Sequence, residues 1–263
     1  MPIIPSMPHE DYLAVKAASK SLLWTIHTKT PLHAVTARER TGAMDFGVAA
    51  HCAVLEPQHF TSRYARGPDD RRGAKWKDAC EAAPAGVEIL TARDYDWAET
   101  LGEDAAAHTG VQALLKGAQV EVSAFADMHG VKCKARPDAV KPGTLIDLKT
   151  TTDASDSAFR HTCHRFGYHV QEAWYCSVWR AAGGEEALEW PEFVFIVVES
   201  KPPFSIRLIK LDPAAVQAGW LIALAALNVY RECLEKNFWP GYGSEISNLS
   251  LDYRPAMGSE AEE

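Results

Sequence analysis

Arg136-Pro137-Asp138, followed after a short turn by Leu145-Ile146-Asp147-Leu148-Lys149-Thr150, is the stretch on which the fold of this chain turns. Ile146 to Leu148 predicts a buried strand with Leu145 and Thr150 at its margins. Successive strand residues point to opposite faces, so Asp147 and Lys149, two positions apart, project together. Asp138 lies just before Lys141-Pro142-Gly143, a turn sequence, so a hairpin can fold it back beside Asp147. Two carboxylates and an ammonium would then share one strand end. Carboxylate oxygens are hard donors suited to Mg²⁺, which keeps several waters, and a neighbouring lysine can orient or deprotonate one of them. Asp-x-Lys pairs at strand ends are also common and usually solvated, so the rest of the chain has to decide.

About twenty residues beyond Lys149 comes Tyr168-His169-Val170-Gln171-Glu172-Ala173-Trp174-Tyr175. Gln171 and Tyr175 are four apart and share one face of a helix. Far upstream, Gly47 to Pro57 predicts a small-residue helix that carries His51 and ends before a proline. A lone histidine on an Ala-rich helix is more often core packing than a ligand. Taken in order, His51, Pro137-Asp138, Asp147-Leu148-Lys149 and Gln171-x-x-x-Tyr175 resemble the PD-(D/E)xK nuclease superfamily. More narrowly, the chain resembles the RecE-type (exonuclease VIII-like) branch of phages and prophages, close to RecB-type nuclease domains. The resemblance extends over most of the chain. It runs from an opening helix around Ala18-Ser19-Lys20-Ser21, through His51-x-x-x-Leu55-Glu56-Pro57, to Phe193–Glu199, Pro202-Pro203 and a closing Trp239-Pro240-Gly241-Tyr242.

The resemblance implies an α/β fold with a restriction-endonuclease-like core: a central mixed β-sheet flanked by helices, preceded by an N-terminal helical region. Residues 1–243 would form one nuclease domain, with 1–60 the helical part carrying His51, 118–243 the sheet core and last helix, and 244–263 a tail. It implies a Mg²⁺-dependent exodeoxyribonuclease, with Mn²⁺ as substitute, that resects linear double-stranded DNA 5′→3′ and leaves 3′ overhangs for recombination. Asp138 and Asp147 would be the principal metal ligands, with the Leu148 carbonyl as a further oxygen and His51 supplying an imidazole. Lys149 would position the attacking water and stabilise the transition state. Gln171 and Tyr175 would support the site or touch DNA phosphate. Glu121 matches an acidic position that some relatives use for a second metal, or is an exposed strand residue. Arg136 could clamp a phosphate or hold Asp138 in a salt bridge, and Ser19 and Ser21 resemble serines that help hold a 5′-phosphate. The family commonly forms trimeric or tetrameric rings, works with a single-strand annealing protein, and acts in the cytoplasm of a bacterial host from a phage or prophage gene. A structure-specific or restriction-type endonuclease, or a DNA-binding accessory protein of the same fold, is the alternative. Degenerate copies tend to lose one of Asp138, Asp147 and Lys149, and all three are present here.

Composition is compatible with this. At 263 residues and 47% hydrophobic, with no long linker and no repeat, a sizeable core in one domain is expected. The first residues lack a basic segment followed by an apolar core, so no secretory signal is expected. The longest apolar run, Trp220 to Leu227, is too short to cross a bilayer. Six cysteines (52, 80, 133, 163, 176, 233) include no Cys-x-x-Cys pair, which argues against a zinc ribbon. Some relatives carry a four-cysteine iron–sulfur cluster, but no clustered C-terminal trio exists here, so none is expected and reduced thiols are.

The net charge of −8 runs against phosphate neutralisation. Part of it lies in Glu260, Glu262 and Glu263, and ligating carboxylates count as negative until a metal arrives. Arg63, Arg66, Arg71, Arg72, Lys75 and Lys77, with Trp76 among them, could track a DNA backbone and stack a base, or form a solvated loop.

Periodicity predicts a helix over 10–27 with Tyr12, Val15, Leu22, Leu23 and Ile26 on overlapping faces, a break at Thr30-Pro31, a short helix and then the His51 helix. Residues 66–86 read as a loop, and Thr91 caps a helix to His108. Strands are expected at 120–125, 131–135, 144–150, 193–199 and 204–210, and Asp212-Pro213 opens a long helix to about Lys236.

Overall fold

The computed structural model describes residues 2–36, 42–183 and 190–249. The chain runs β1 (Ile3–Ile4), α1 (His9–Ala14), α2 (Lys20–Thr28), α3 (Pro31–Val35), α4 (Gly42–Leu55), α5 (Pro57–Arg63) and β2 (Tyr64–Arg66). It continues through α6 (Ala74–Ala82), β3 (Glu88–Leu90), α7 (Ala92–Ala107), α8 (Thr109–Leu115), β4 (Gln119–Val120), β5 (Ser123–Met128), β6 (Val131–Ala135) and β7 (Ala139–Lys141). Then follow β8 (Thr144–Thr151), α9 (Asp156–Phe166), α10 (Tyr168–Gly183), β9 (Glu192–Glu199), β10 (Ile206–Ile209) and α11 (Pro213–Lys236).

The main sheet has the order β10-β9-β8-β7-β4. It is mixed: β8 and β9 run parallel from Thr144↔Glu192 to Thr151↔Glu199, and the other pairs are antiparallel. A parallel pair needs a long crossover, which α9 and α10 supply. Strand β8 is covered on both faces, so residues 144–148 are all buried, Asp147 among them. Ile146 and Leu148 pack with Ile196 and Val198 against Ala50, Val54 and Leu101 of α4 and α7. Leu145 packs with Phe193, Phe195 and Val197 on Phe159 and Cys176 of α9 and α10. By alternation Asp147 and Lys149 fall on this second side, facing α10.

Smaller sheets flank the main one: β1-β5-β6 on one side of α10, and β2-β3 beside α4 and α7. Two glycines let helices approach closely. A Cβ on Gly219 of α11 would lie 2.2 Å from the His169 carbonyl oxygen of α10, and one on Gly102 of α7 would lie 2.7 Å from that of Ala53 in α4. Trp174, fully buried on α10, donates its indole N–H to the Lys134 carbonyl at 3.1 Å and fixes α10 to β6. Helix α11, 24 residues and apolar enough by length and composition to cross a membrane, turns Gly219, Ala223, Ala226, Leu227, Tyr230 and Cys233 inward, with Ala223, Ala226, Leu227 and Tyr230 in the core it shares with α2 and α10. All six cysteines are free; Cys80 is exposed and the others are buried.

Several sequence expectations are corrected. The helix expected over 10–27 is two helices, because Lys134 of β6 intrudes between them. Its ammonium donates to the carbonyls of Tyr12, Leu13 and Val15 at 2.8, 3.4 and 2.8 Å, which uses all three of its donors. Ala18 then bridges to β6 before Ser19 caps α2. The loop expected at 66–86 contains helix α6, which buries no residue and so carries no hydrophobic periodicity to reveal it. The strand expected at 120–125 breaks at Glu121 into β4 and β5, which belong to different sheets. Helices α8 and α9 were not anticipated. Residues 250–263, most of the expected tail including Glu260, Glu262 and Glu263, lie outside the described residues.

Candidate active site

The site is built where the main sheet and the β1-β5-β6 sheet part. One branch of this fork passes through Glu121 between β4 and β5; the other passes through Arg136-Pro137-Asp138 between β6 and β7. The Glu121 N–H donates to the Asp138 carbonyl at 2.8 Å and closes the fork. Glu121 adopts φ +55°, a left-handed conformation that costs a non-glycine residue about 1–2 kcal/mol. Its carboxylate is ion-paired with Arg136. The guanidinium, only 8% exposed, also donates to Ser123 Oγ at 2.8 Å and lies 5.5 Å from the Tyr12 ring centre. Two expectations change here. Glu121 sits on a kink rather than on a strand face, and Arg136 pairs with Glu121, not Asp138. Its Nε donates to Glu121 and its Nη1 to Ser123, which ties the largely buried guanidinium to the fork.

Asp138 and Asp147 meet across the expected hairpin. Strand β7 pairs with β8 only as far as Ala139↔Ile146, which leaves the next outward-facing N–H of β8 free, and Asp138 Oδ2 accepts it, from Leu148, at 2.7 Å. The N–H and C=O of one strand residue point to the same edge, so the Leu148 carbonyl faces this side too and lies against the His51 imidazole. His51 Nδ1 is 3.6 Å from Asp138 Oδ2. Asp147 Oδ1 accepts from Gln171 Nε2. Asp147 Oδ2 touches the Lys149 ammonium but has no directed hydrogen bond, although it is buried. The ammonium lies 4.9 Å from the Tyr168 ring centre.

Charge repulsion and burial dominate the electrostatics. Burial, then the nearby Asp147 carboxylate, push Asp138 well above the ordinary carboxylate range. Burial acts to lower Lys149, but Asp147 and Asp138 together outweigh it and hold the ammonium protonated beyond its usual range. His51 is pushed down by burial and by the Lys149 charge, so its approach to Asp138 is that of a neutral ring rather than an ion pair. Tyr175 is pushed up by burial, then by Tyr12 and the carboxylates, which places it at the rim of the same cluster.

The structure thus brings together His51, Asp138, Asp147, Leu148, Lys149 and Gln171, with Glu121 and Tyr175 at the margin. Of the expected DNA contacts, Arg136 joins this cluster through Glu121, and Ser19 and Ser21 flank Lys20, which meets Tyr168. Ser19 Oγ is engaged at the start of α2, accepting the Leu22 N–H at 3.3 Å. Ser19 and Ser21 line a separate groove of about 960 Å³ with Lys132, Tyr230 and Trp239. In the basic segment Arg63 pairs with Glu56, Arg66 with Asp96, Arg71 with Asp94, Arg72 with Asp70 and Lys77 with Glu81, so most of its charge is answered within the chain. Lys75 is exposed on α6. Sequence reasoning missed Tyr12, Ser123, Lys20 and Tyr168. Lys20 donates to the Phe166 carbonyl, and its ammonium lies 5.8 Å from the Tyr168 ring centre. Tyr168, at the head of the quoted helical motif, and Lys20, within the quoted Ala18-Ser19-Lys20-Ser21, carried a signal.

The donor set suits one hard cation. Mg²⁺ takes one or two protein carboxylates and keeps waters, so Asp138, Asp147, the Leu148 carbonyl and a neutral imidazole suffice. Asp147 Oδ2 is buried against the Lys149 ammonium, and its remaining lone pair is one such an ion would use. Among the described residues no group of three or more His, Cys, Asp or Glu side chains is placed to hold a metal ion by itself, so the set needs the Leu148 carbonyl and waters.

A crystal structure of a candidate exonuclease from Eubacterium rectale superposes with a TM-score of 0.67 at 14% identity, covering 94% of this chain and 96% of that one. That agreement shows a restriction-endonuclease-like fold, a mixed sheet flanked by helices. A phage-related exonuclease from Haemophilus somnus, 14% identical, covers 87% of this chain and 100% of its own, at a TM-score of 0.36 that is too low to bear on the fold. No curated protein sequence matches the chain. Residues 26–250 match the family described as a PDDEXK-like domain of unknown function (DUF3799), and the chain belongs to that family.

Proposed function

We propose that this chain is a metal-dependent DNA nuclease, and within that class an exonuclease that resects linear duplex 5′→3′ and leaves 3′ overhangs for phage-type recombination. The observation that carries this reading is the convergence of Asp138, Asp147, Lys149, His51 and the Leu148 carbonyl on one edge of β8.

Asp138, Asp147, the Leu148 carbonyl and His51 would hold Mg²⁺, or Mn²⁺ in its place. The ion, when bound, neutralises phosphate charge and raises the acidity of water. Gln171 fixes the rotamer of Asp147, and the Glu121–Arg136 pair fixes the fork that presents Asp138. Lys149, held protonated by its carboxylate neighbours, acts as a fixed positive charge beside the scissile phosphate and as a donor that orients the attacking water. Residues 1–243 acting as one domain, a ring of subunits, an annealing partner and a phage or prophage setting in a bacterial cytoplasm belong to the same proposal, supported by the family resemblance.

End-labelled linear duplex and covalently closed circles, each with Mg²⁺ or with EDTA, test the reading. Loss of mononucleotides from linear ends in Mg²⁺, with circles intact, is expected. Equal cutting of circles would replace the exonuclease with an endonuclease, and inert linear ends would leave a binding protein.

A further inference from the structure

Helix α10 presents Gln171 to Asp147 on one side. The next residue, about 100° further round the helix, is Glu172, and it faces elsewhere. It lines a groove of about 990 Å³ between α10, the start of β9 and the N-terminal turns of α11. Glu172 is 94% buried by its 6% exposure, and its Oε2 has no hydrogen-bond partner. A buried carboxyl left unmatched is costly, and nothing in the mechanism above uses this one. The rest of the wall is largely apolar, with three aromatic and two cationic side chains and the carboxylate of Glu192. Trp190, Trp220 and Phe193 line it, the Arg180 guanidinium lies 5.5 Å from the Trp190 ring centre, and Lys210 stands at the edge paired with Glu192 at 2.6 Å. That last pair is exposed, so it is weak and its lysine can exchange a carboxylate for another anion.

Flat aromatic surfaces, one buried carboxyl and nearby cations match a specific chemistry. Nucleobases stack on indole faces whatever their sequence. Their amino and imino edges donate to a carboxyl, as cytosine N4 does to glutamate. Their attached phosphate suits Lys and Arg. We propose that this groove is a nucleobase-binding site, taking the base of a nucleotide against its tryptophans and the base's donor edge on Glu172. The site is separate from the carboxylate cluster, and its existence does not depend on the cleavage reading. The base is either that of a free mononucleotide or an unpaired base of a strand.

The test is titration of the full chain in EDTA with each deoxynucleoside 5′-monophosphate, with short single-stranded oligonucleotides, and with deoxyribose 5-phosphate as the baseless control. Binding is followed by calorimetry and by the indole N–H signals in NMR. Shifts of the Trp190 and Trp220 signals, without a shift of the core Trp174, are expected. Affinity should fall at least tenfold in Glu172→Leu, a near-isosteric change at a buried position, and in Trp190→Ala, a change at an exposed one. Binding of mononucleotides assigns the site to free nucleotides, and binding of oligonucleotides alone assigns it to strand bases. Absence of binding by both, equal binding of deoxyribose 5-phosphate, or unchanged affinity in both variants overturns the site.

Discussion

Asp138 Oδ2 accepts the backbone N–H of Leu148 at 2.7 Å, so this carboxylate is anchored by the same strand that carries its neighbour Asp147. The two acids are therefore positioned by one hydrogen-bonded edge rather than by two independent loops. Their separation is set by the hairpin register Ala139↔Ile146, and their repulsion is built in.

Asp138→Asn should abolish metal-dependent cleavage and raise the melting temperature in metal-free buffer. The amide keeps an oxygen for the Leu148 N–H but carries no charge against Asp147. Asp138 has its folded pKa raised, so its ionisation opposes folding: stability falls as pH rises from its ordinary range through the folded value. The gain in the variant should thus be larger at pH 8 than at pH 4. Near-normal cleavage by Asp138→Asn, or by Asp147→Ala, would end the assignment of these residues.

Lys149→Ala should lower single-turnover cleavage by about 10²–10³, the usual cost of losing one preorganised donor to a developing charge. Mn²⁺ affinity by calorimetry should fall little, since the lysine is not a ligand. Asp147 and Asp138 hold Lys149 protonated in the metal-free protein, and if it keeps that proton with metal bound, as a donor to the water must, the wild-type rate should show no limb from lysine deprotonation between pH 6 and pH 9. A rate that rises through that range and flattens only in the variant would make Lys149 the base.

How much of this was legible follows from distance along the chain. Asp147 with Lys149, and Gln171 with Tyr175, are short-range pairs whose geometry is dictated by strand and helix periods, and Asp138 needed only one turn to reach them. Arg136 shows the limit. Its adjacency to Asp138 suggested a pair, but the fork sends its side chain to Glu121 and Ser123 in the other sheet. No local pattern encodes that two strands change sheets at a left-handed glutamate. Lys134 is similar: its role as the stop between α1 and α2 arises from a strand more than a hundred residues away. Arg66 and Arg71 could not be recognised as paired without knowing that Asp96 and Asp94 of α7 lie beside them.

His51→Ala should impair cleavage more in Mg²⁺ than in Mn²⁺, because manganese binds more tightly and tolerates an altered donor set. The imidazole is neutral and packed between the Leu148 carbonyl and Asp138, so removing it takes away a donor without freeing a charge. Parallel melting curves and activity assays in the two metals decide the matter. Earlier melting with full activity in both would make His51 a packing residue only.

The last prediction concerns Glu172, whose carboxyl is raised to about 8 from an ordinary 4.5, by burial first and then by the neighbouring Asp212 carboxylate. A carboxyl whose folded value is raised binds its proton more tightly in the native state. Folding is therefore favoured below the unfolded value and loses stability as pH climbs from about 4.5 through about 8, after which the loss is complete. Glu172→Gln keeps the size and hydrogen-bonding reach of the protonated acid and cannot ionise. Its melting temperature should match the wild type near pH 4.5, exceed it progressively up to about pH 8, and hold a constant margin above that. Calorimetric scans of both proteins across pH 4.5–9, in EDTA, measure the difference directly. A margin that does not change with pH would mean that Glu172 is solvated and ionised throughout, and would remove the buried carboxyl from the groove.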